Sequence, residues 1–392
     1  MTASNTEKST LLPSQSLKEI NCCVIIPTYN NCNTIERVIK GVLNFAKAAD
    51  VILVNDGATD NTVAILEQYK SQITIITNPV NQGKGISLRK AFKKAFEMGF
   101  KNAITIDSDG QHYPEDIPLF IEAAKKNPGA LIMGSRNMEQ EGVPSKSSFG
   151  NKFSNFWFKV ETGITLPDTQ TGFRLYPLEP ISKMKLFTNK FETEIEVIVK
   201  LAWKNTPIIP ISINVLYDPD ERVSHFRPFR DFTRISILNT YLVTLTLLYY
   251  LPIRVMQVIK REAIKSDESN LSKSLSIGFG FFMGVVPLWG FQLLIGIPLT
   301  FAFKLNKVLF VAAANISIPP FIPFIIFSSY LIGAPFVENN AEITSLKSLT
   351  LESIHLNFIQ YAVGAVILAV AAGIVSTLAS LLLLNLFRKG NK

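Results

Sequence analysis

The sequence predicts two domains of different class, an α/β domain followed by an α-helical membrane domain. Up to about residue 235, short apolar runs alternate with charged amphipathic segments, as in a soluble α/β domain. Beyond about residue 275 lie three stretches without a charged residue, at 277–303, 308–337 and 356–387. Each exceeds the roughly 20 residues that an apolar helix needs to cross a bilayer. A chain of 392 residues is long enough for both domains.

The first 19 residues are polar and are predicted to form a disordered tail before a domain at 20–234. They lack the apolar segment of a secretory signal, so we expect the first domain to stay in the cytosol. Cys22, Cys23 and Cys32 are too few for a disulfide framework and lack zinc-site spacing, so we expect them to be reduced.

Strands and helices alternate along the first domain. Strands are predicted at 22–29, 50–56, 73–77 and 102–107, and helices at 34–46, 60–70 and 85–99. The strands are apolar throughout, which predicts a sheet covered by helices on both faces. Ligands bind such sheets outside the carboxyl ends of the strands. The polar residues expected there are Tyr29, Asn30, Asn55, Asp56, Asp107 and Asp109.

The glycine-rich segment NQGKGIS (81–87) has neither the dinucleotide-binding nor the P-loop spacing. Its Lys84 either belongs to a loop that caps a helix or reaches a phosphate. The sequence leaves both interpretations open.

The segment DSDGQH (107–112) places two carboxylates and an amide on one short turn. Asp107, Asp109 and Gln111 offer hard oxygen ligands, which suit Mg²⁺ or Mn²⁺. The alternative is a capped turn with solvated carboxylates. The acidic VNDGATD (54–60) at the end of another strand favours the metal site.

Six motifs occur in an order that resembles family 2 glycosyltransferases of the GT-A fold, which have a mixed, Rossmann-like sheet. They are VIIPTYNN, VNDGATDNT, NQGKG, DSDGQH, GSR and DTQTGFR, within about residues 20–235. The resemblance is to the branch that contains dolichyl-phosphate mannosyltransferase and other polyprenyl-phosphate glycosyltransferases. It implies a GDP- or UDP-linked sugar donor, a divalent metal and inversion at the anomeric carbon.

The resemblance also implies roles for individual residues. The donor would be bound by Pro27, Tyr29, Asn31, Asn55, Asp56, Lys84, Asp107, Arg222 and His225. The metal would be held by Asp107, Asp109 and Gln111, and the leaving diphosphate clamped by Arg222 and His225. The family usually has Glu at position 31 and Asp at position 55. Asn31 and Asn55 therefore leave the identity of the base open.

The expected catalytic set is Asp109, Arg136, Asp168 and Arg174. By the resemblance, the two arginines would face the acceptor phosphate and the transferred sugar. Asp168 would either orient Arg174 or bind sugar hydroxyls. A hydroxyl acceptor needs a general base, whereas a phosphate is already anionic. Because the chain has two candidate arginines and no obvious base beyond Asp168, we expect a polyprenyl monophosphate acceptor.

Two alternatives remain open. The acceptor could be another membrane lipid, such as a diacylglycerol or sphingoid lipid. Alternatively, the protein could be a lipid transporter or assembly platform whose first domain only binds a nucleotide sugar. The chain lacks the Q-x-x-R-W motif of polymerising synthases, so chain extension is disfavoured. No nucleic-acid partner is expected, and a homo-oligomer is possible.

The second domain is predicted to be multi-pass, in a bacterial inner membrane. Residues 235–274 are expected to form an interfacial amphipathic helix and a basic linker. The basic Lys304 and Lys307 favour a cytosolic position, and the acidic loop at 338–355 favours the outside. Within 275–392, we therefore expect a re-entrant hairpin at 277–303, followed by two spans. The G-x-x-P-x-x-G-x-Q pattern at 284–292 resembles a membrane-domain family of unknown function.

Overall fold

The computed structural model describes residues 17–137, 145–216, 227–288, 290–317, 321–337 and 358–389. The chain divides into two compact units, Met1–Tyr250 and Leu251–Lys392. Each unit is described by itself below.

The first unit contains a seven-stranded mixed sheet with the strand order β3-β2-β1-β4-β6-β5-β7. The strands are β1 (Cys22–Thr28), β2 (Val51–Asn55), β3 (Thr74–Thr77), β4 (Asn102–Thr105), β5 (Leu131–Arg136), β6 (Arg174–Pro177) and β7 (Ile208–Ile213). All neighbouring pairs are parallel except those of β6, which runs antiparallel to β4 and β5. The predicted α/β domain with a mixed sheet is confirmed.

Helices cover both faces of the sheet, as the apolar strands predict. They are α1 (Ile35–Leu43), α2 (Thr62–Glu67), α3 (Lys84–Glu97), α4 (Ile117–Lys126), α5 (Ser145–Thr162), α6 (Leu178–Ser182), α7 (Glu192–Trp203) and α8 (Pro228–Leu245). One hydrophobic core contains side chains of α1, α2 and α4. The other contains side chains of α3 and α5 to α8. Burial on both faces explains why the strands carry almost no polar residue.

The direction of β6 brings two distant motifs together. Arg174, the first residue of β6, pairs with Thr105, the last residue of β4. Because an antiparallel strand begins where its partner ends, the loop 168–173 lies beside the loop 107–111. The alternating pattern of strand and helix alone indicates a parallel sheet and would not place these loops together.

Residues 17–19 belong to the first unit, although the predicted tail extends to residue 19. Leu17 is fully buried in the core with β1, and Glu19 forms an ion pair with Lys125. The predicted disorder of residues 1–16 lies outside the described residues.

The second unit is helical in its described residues. Its helices are α9 (Leu251–Ile264), α10 (Asn270–Val285), α11 (Gln292–Ala302), α12 (Lys307–Ala314), α13 (Ile322–Gly333) and α14 (Phe358–Lys389). By length and composition, the helical stretches Phe229–Ile264 and Phe358–Leu386 could each cross a membrane. The first continues through Pro252. A π-helical turn, Thr246–Tyr250, precedes this proline. It shifts the backbone hydrogen-bond pattern close to the position where Pro252 has no N–H to donate.

The segment 277–303 folds back on itself. The backbone N–H of Asn306 donates to Ser276 Oγ at 2.8 Å, so the two ends of the segment meet. Gly280 of α10 and Gly296 of α11 both lie against Phe310 of α12. The turn between α10 and α11 contains Pro287 and Gly290. The position of this hairpin in a membrane stays a prediction.

Close contacts between small residues hold α10 and α13 against α14. Gly278 and Phe282 of α10 approach Gly373, near the middle of α14. Gly333 of α13 packs on the first turns of α14, where a Cβ would meet Gln360 O at 2.0 Å. Glycine allows this backbone approach, as in helix pairs within membranes. At the other end of α10, Asn270 Nδ2 donates to Asn385 Oδ1 at 2.7 Å, so α10 lies along the second half of α14, whereas α13 lies along the first half.

Candidate functional site

A cavity of about 750 Å³ lies outside the carboxyl ends of β1, β2 and β4. Eight residues expected at the site from the sequence line it: Pro27, Tyr29, Asn31, Asp56, Lys84, Asp107, Asp109 and Gln111. They come from four motifs that are separated by up to 84 positions in the sequence (27 to 111). The parallel strands bring them to one edge of the sheet.

Asp56 builds one wall of the cavity. Its carboxylate accepts hydrogen bonds from the backbone N–H groups of Gln82 and Gly83, at 2.9 and 2.7 Å, and from Asn78 Nδ2 at 2.7 Å. Gly83 has φ +105°, and a Cβ there would meet Asn189 O at 2.6 Å. The glycine-rich segment is therefore a fixed turn that begins α3.

The two asparagines that depart from the family pattern have different positions. Asn55 is buried and its Oδ1 accepts from the N–H of Ala58, so its side chain serves the turn after β2. Asn31 lines the cavity and donates from Nδ2 to Ser108 Oγ at 2.6 Å. The buried atoms Asn31 Oδ1 and Thr28 Oγ1 have no hydrogen-bond partner among the described residues. Both residues line the cavity, where a ligand could supply that partner.

Lys84 lies between two carboxylates, at 2.7 Å from Asp107 Oδ1 and 3.0 Å from Glu194 Oε2. Burial favours the neutral amine, but the two carboxylates raise the pKa of Lys84 above its ordinary value. Burial likewise favours protonated Asp107, but Lys84 holds the pKa of Asp107 below its ordinary value. In this structure Lys84 and Asp107 therefore form an ion pair in which the ammonium is protonated and the carboxylate is ionised.

Asp107, Asp109 and Gln111 fit an incomplete metal site. Asp109 Oδ1 accepts from the N–H of Gln111 at 3.1 Å, which fixes the turn. Within the described part of the chain, no three His, Cys, Asp or Glu side chains cluster as a complete site. Two carboxylates and an amide oxygen suit Mg²⁺ or Mn²⁺ when phosphates and water supply the remaining ligands.

Asp168 pairs with Arg136, whereas the sequence suggested Arg174 or sugar hydroxyls. Arg136 donates from Nε and Nη2 to the two Asp168 oxygens, at 2.6 and 3.1 Å. Asn151 Nδ2 and the N–H of Gln170 also donate to Asp168 Oδ1. Burial would raise the pKa of Asp168, but Arg136 holds it below its ordinary value. An ionised carboxylate with this many donors has little capacity to accept a further proton.

Arg174 is bonded to protein partners in this structure, and its expected role at the acceptor stays a prediction. Its side chain is fully buried. It donates to the carbonyl oxygens of Thr171, Thr169 and Glu194 and to the hydroxyl of Tyr176, at 2.6–3.0 Å. A guanidinium with these partners supports the loop 168–173. The sequence pattern cannot separate this role from phosphate binding, because both need the same fork of donors.

Cationic residues that the sequence analysis did not single out form the remaining wall. Lys190, Arg227, Arg230 and Arg234 line the cavity, together with Phe191 and Asp231. Neither Arg136 nor Arg174 belongs to the described lining. The sequence feature that could have identified the three arginines is their helical spacing in RPFRDFTR (227–234). Arg222 and His225, expected to clamp the leaving diphosphate, lie outside the described residues.

Residues 23–184 match the profile of the family "Glycosyl transferase family 2". Residues 253–392 match that of the "Uncharacterized protein conserved in bacteria (DUF2062)".

Two relatives illustrate the similarity of the first domain. The chain is 26% identical over 214 residues to the UDP-N-acetylglucosamine–dolichyl-phosphate N-acetylglucosaminyltransferase of Methanococcus voltae, covering 50% of the chain and 85% of that protein. It is 28% identical over 242 residues to the dolichyl-phosphate beta-glucosyltransferase of Saccharomyces cerevisiae, covering 53% of the chain and 72% of that protein.

Among solved structures, the chain is similar to glucosyl-3-phosphoglycerate synthase from Mycobacterium tuberculosis in complex with Mn²⁺, UDP and phosphoglyceric acid. The identity is 18% and the TM-score 0.45, and the match covers 61% of this chain and 81% of that chain.

Proposed function

We propose, from the family 2 glycosyltransferase domain that this chain carries at residues 23–184, that the protein transfers a sugar from a nucleotide-sugar donor to a polyprenyl monophosphate. The observation that carries the proposal is the convergence of four sequence motifs on one cavity at the carboxyl edge of the sheet. Relatives along the same domain are named as transferases that act on dolichyl phosphate. These names support a lipid phosphate as the acceptor.

The donor would occupy the part of the cavity formed by β1, β2 and α3. Pro27, Tyr29 and Asn31 would contact the nucleoside, and Asp56 would hold the loop that encloses it. The unpartnered Thr28 Oγ1 and Asn31 Oδ1 are suited to hydrogen bonds with a base or ribose. The site is compatible with either UDP or GDP.

Asp107, Asp109 and Gln111 would hold Mg²⁺ or Mn²⁺, which supplies positive charge to the diphosphate as it leaves. Lys84, whose ammonium lies 2.7 Å from Asp107 Oδ1, would add positive charge beside the donor diphosphate. Binding of the metal should depend on Asp109. Loss of metal binding can be measured by a fall in nucleotide affinity as well as by a fall in sugar transfer.

We infer that the reaction is a single displacement with inversion. An oxygen of the acceptor phosphate forms the new bond to the anomeric carbon, and the bond from that carbon to the diphosphate breaks. The electron pair leaves with the nucleoside diphosphate. An acceptor that is already anionic needs no base, which agrees with the saturation of Asp168 by its donors. The Arg136–Asp168 pair would position the loop beside Asp107.

We propose that the catalytic domain acts at the cytosolic face of a membrane in which the second unit is embedded. The second unit matches a family conserved in bacteria, which supports a bacterial inner membrane. The two ends of the hairpin meet, and its first helix, α10, lies along only half of α14. This arrangement supports a re-entrant segment that reaches only part of the depth of the membrane. With α14 ending in Arg388 and Lys389, the positive-inside rule places that half on the cytosolic side.

Topology can be tested with single cysteines at positions 304 and 347 after replacement of the three native cysteines. A membrane-impermeant thiol reagent applied to intact cells should label position 347 and not position 304. Labelling of 304 alone would contradict the hairpin.

The activity can be tested by incubating the purified full chain with a panel of labelled nucleotide sugars and a lipid extract. The expected product is a sugar joined to a lipid through one phosphate, identified by mass spectrometry, and its formation should stop in EDTA. A product on diacylglycerol or a sphingoid lipid would replace this acceptor with another. Nucleotide-sugar binding without transfer to any lipid would favour a transporter or assembly platform.

A further inference from the structure

One face of α8 lines the cavity with arginine side chains. Arg227 caps the helix, and Arg230 and Arg234 follow three and seven positions later. At 3.6 residues per turn, these positions lie on the same side of a helix. We call this set the arginine face. Lys190 lies in the same wall of the cavity, and its ammonium donates to Asn81 Oδ1 at 3.1 Å.

The arginine face carries more positive charge than its neighbours balance. Asp231 is the one carboxylate paired with it among the described residues. It accepts from the N–H of Arg227 at 2.8 Å and lies 3.6 Å from Arg234 Nη1. Three guanidinium groups against one carboxylate leave an excess of +2, before Lys190 is counted. The side chains of Arg227 and Arg230 are exposed, so their donors can reach a ligand.

The same helical face becomes apolar immediately after the arginines. Ile237 and Tyr241 follow Arg230 by seven and eleven positions, and 66% and 45% of their surfaces are exposed. The ring of Phe187 contacts Tyr241 with a centroid distance of 5.1 Å and is itself half exposed. Exposed apolar groups in a continuous row indicate contact with an apolar partner. From Arg230 to Tyr241, the row spans about 16 Å of helix.

We propose that this face of α8 is the binding site of the acceptor. The guanidinium groups of Arg227, Arg230 and Arg234 bind the phosphate monoester, because Arg presents paired donors to phosphate oxygens. Ile237, Tyr241 and Phe187 contact the first units of the hydrocarbon chain. This inference rests on the proposed function. It adds Arg227, Arg230 and Arg234, which line the cavity, to the arginines that the sequence predicted at the acceptor phosphate.

Arg230→Gln tests the phosphate contact, since the side chain is exposed and its loss should not disturb packing. The apparent KM for polyprenyl monophosphate should rise at least 10-fold, while the Kd for UDP or GDP stays within twofold of the wild type. Arg230→Lys should recover part of the loss. Lys93→Gln, which removes an exposed cation from α3, is the matched control and should leave both constants unchanged.

The two halves of the row can be separated with acceptors of different chain length. Arg230→Gln should impair a short, soluble isoprenyl monophosphate and a long one to similar extents. Tyr241→Ala should impair only the long one, by about 5-fold or more, since the short chain does not reach it. Equal losses on both acceptors for Tyr241→Ala would contradict the assignment of the apolar half.

The same experiment distinguishes the two phosphates that could bind here. If nucleotide affinity falls in Arg230→Gln while the thermal midpoint is unchanged, the arginine face belongs to the donor and the inference is overturned. An unchanged KM for the acceptor overturns it as well. Should Arg230→Gln not fold, Arg227→Gln decides by the same criteria. Absence of transfer by the wild-type chain to any lipid phosphate would instead refute the proposed function.

Discussion

The loops that follow β4 and precede β6 lie side by side, yet their charged residues are used in opposite ways. After β4, Asp107, Asp109 and Gln111 line the cavity. In the loop before β6 and at its first position, Asp168 and Arg174 are buried and bonded to protein partners. Both loops carry motif carboxylates. A motif therefore identifies a site, while burial and hydrogen-bond partners decide which of its residues meet the ligand.

The largest expected effect concerns the loop after β4, whose side chains line the cavity. Asp109→Asn keeps the size of the side chain and removes its charge, so transfer should fall roughly 100-fold or more. The thermal midpoint should stay within about 2 °C, since Asn has nearly the size and shape of Asp. Calorimetry with UDP or GDP, with and without Mn²⁺, should show that the metal no longer increases nucleotide affinity. If Mn²⁺ still increased nucleotide affinity in this variant, Asp109 would not be a metal ligand.

For the buried residues at the start of β6, we expect an effect on stability: Arg174→Met should lower the free energy of unfolding. It leaves several buried acceptors without donors, and each costs on the order of 1–3 kcal/mol. We expect the free energy of unfolding of the full chain in detergent to fall by roughly 3 kcal/mol or more. Remaining activity should track the folded fraction, and the acceptor KM of that fraction should be unchanged. A rise in acceptor KM at unchanged stability would return Arg174 to the binding site.

The contact between the two loops provides a sharper test. A Cβ on Gly172 would meet Asp107 Oδ2 at 2.1 Å, so Gly172→Ala must displace either the carboxylate or the loop. Transfer should fall about 10-fold. Gly150→Ala is the matched control, since its nearest atom would be 3.6 Å away and the residue is helical. Equal activities of the two variants would show that the loops do not depend on one another.

The last expected effect is on stability and not on transfer, and it concerns a buried carboxyl that, unlike Asp168, has no donor among the described residues. Both carboxyl oxygens of Glu161 in α5 lack a partner among the described residues, and burial raises the pKa of Glu161 to about 8. The unfolded chain releases this proton near pH 4.5, so the folded state loses stability as pH rises from about 4.5 to about 8. The slope is at most roughly 1.4 kcal/mol per pH unit.

Glu161→Gln should remove this dependence and raise the thermal midpoint at pH 8 relative to the wild type. Unfolding of both chains from pH 5 to pH 9 gives the comparison. Parallel curves for the two proteins would show that Glu161 is solvated or paired.

The sequence was sufficient for the first four strands, the helical cover of the sheet and the donor side of the cavity, because apolar strands and strand-end polar residues follow directly from pattern. It could not show that Arg174 is buried among carbonyl oxygens, since burial is a tertiary property. It also overlooked Arg227, Arg230 and Arg234, whose helical spacing becomes informative only once α8 is known to line the cavity. The strand direction of β6, which joins the two loops, likewise has no local signature.

The most direct test of the account compares two acceptors that differ only in the phosphate. Transfer from a labelled nucleotide sugar is measured with polyprenyl monophosphate and with the free polyprenol of the same length. With the nucleophile already anionic and Asp168 saturated, kcat/KM should be at least 10³-fold higher for the monophosphate, on the order of the contribution of a missing general base. Equal reaction of the alcohol would contradict the account, because a neutral hydroxyl needs a general base to remove its proton.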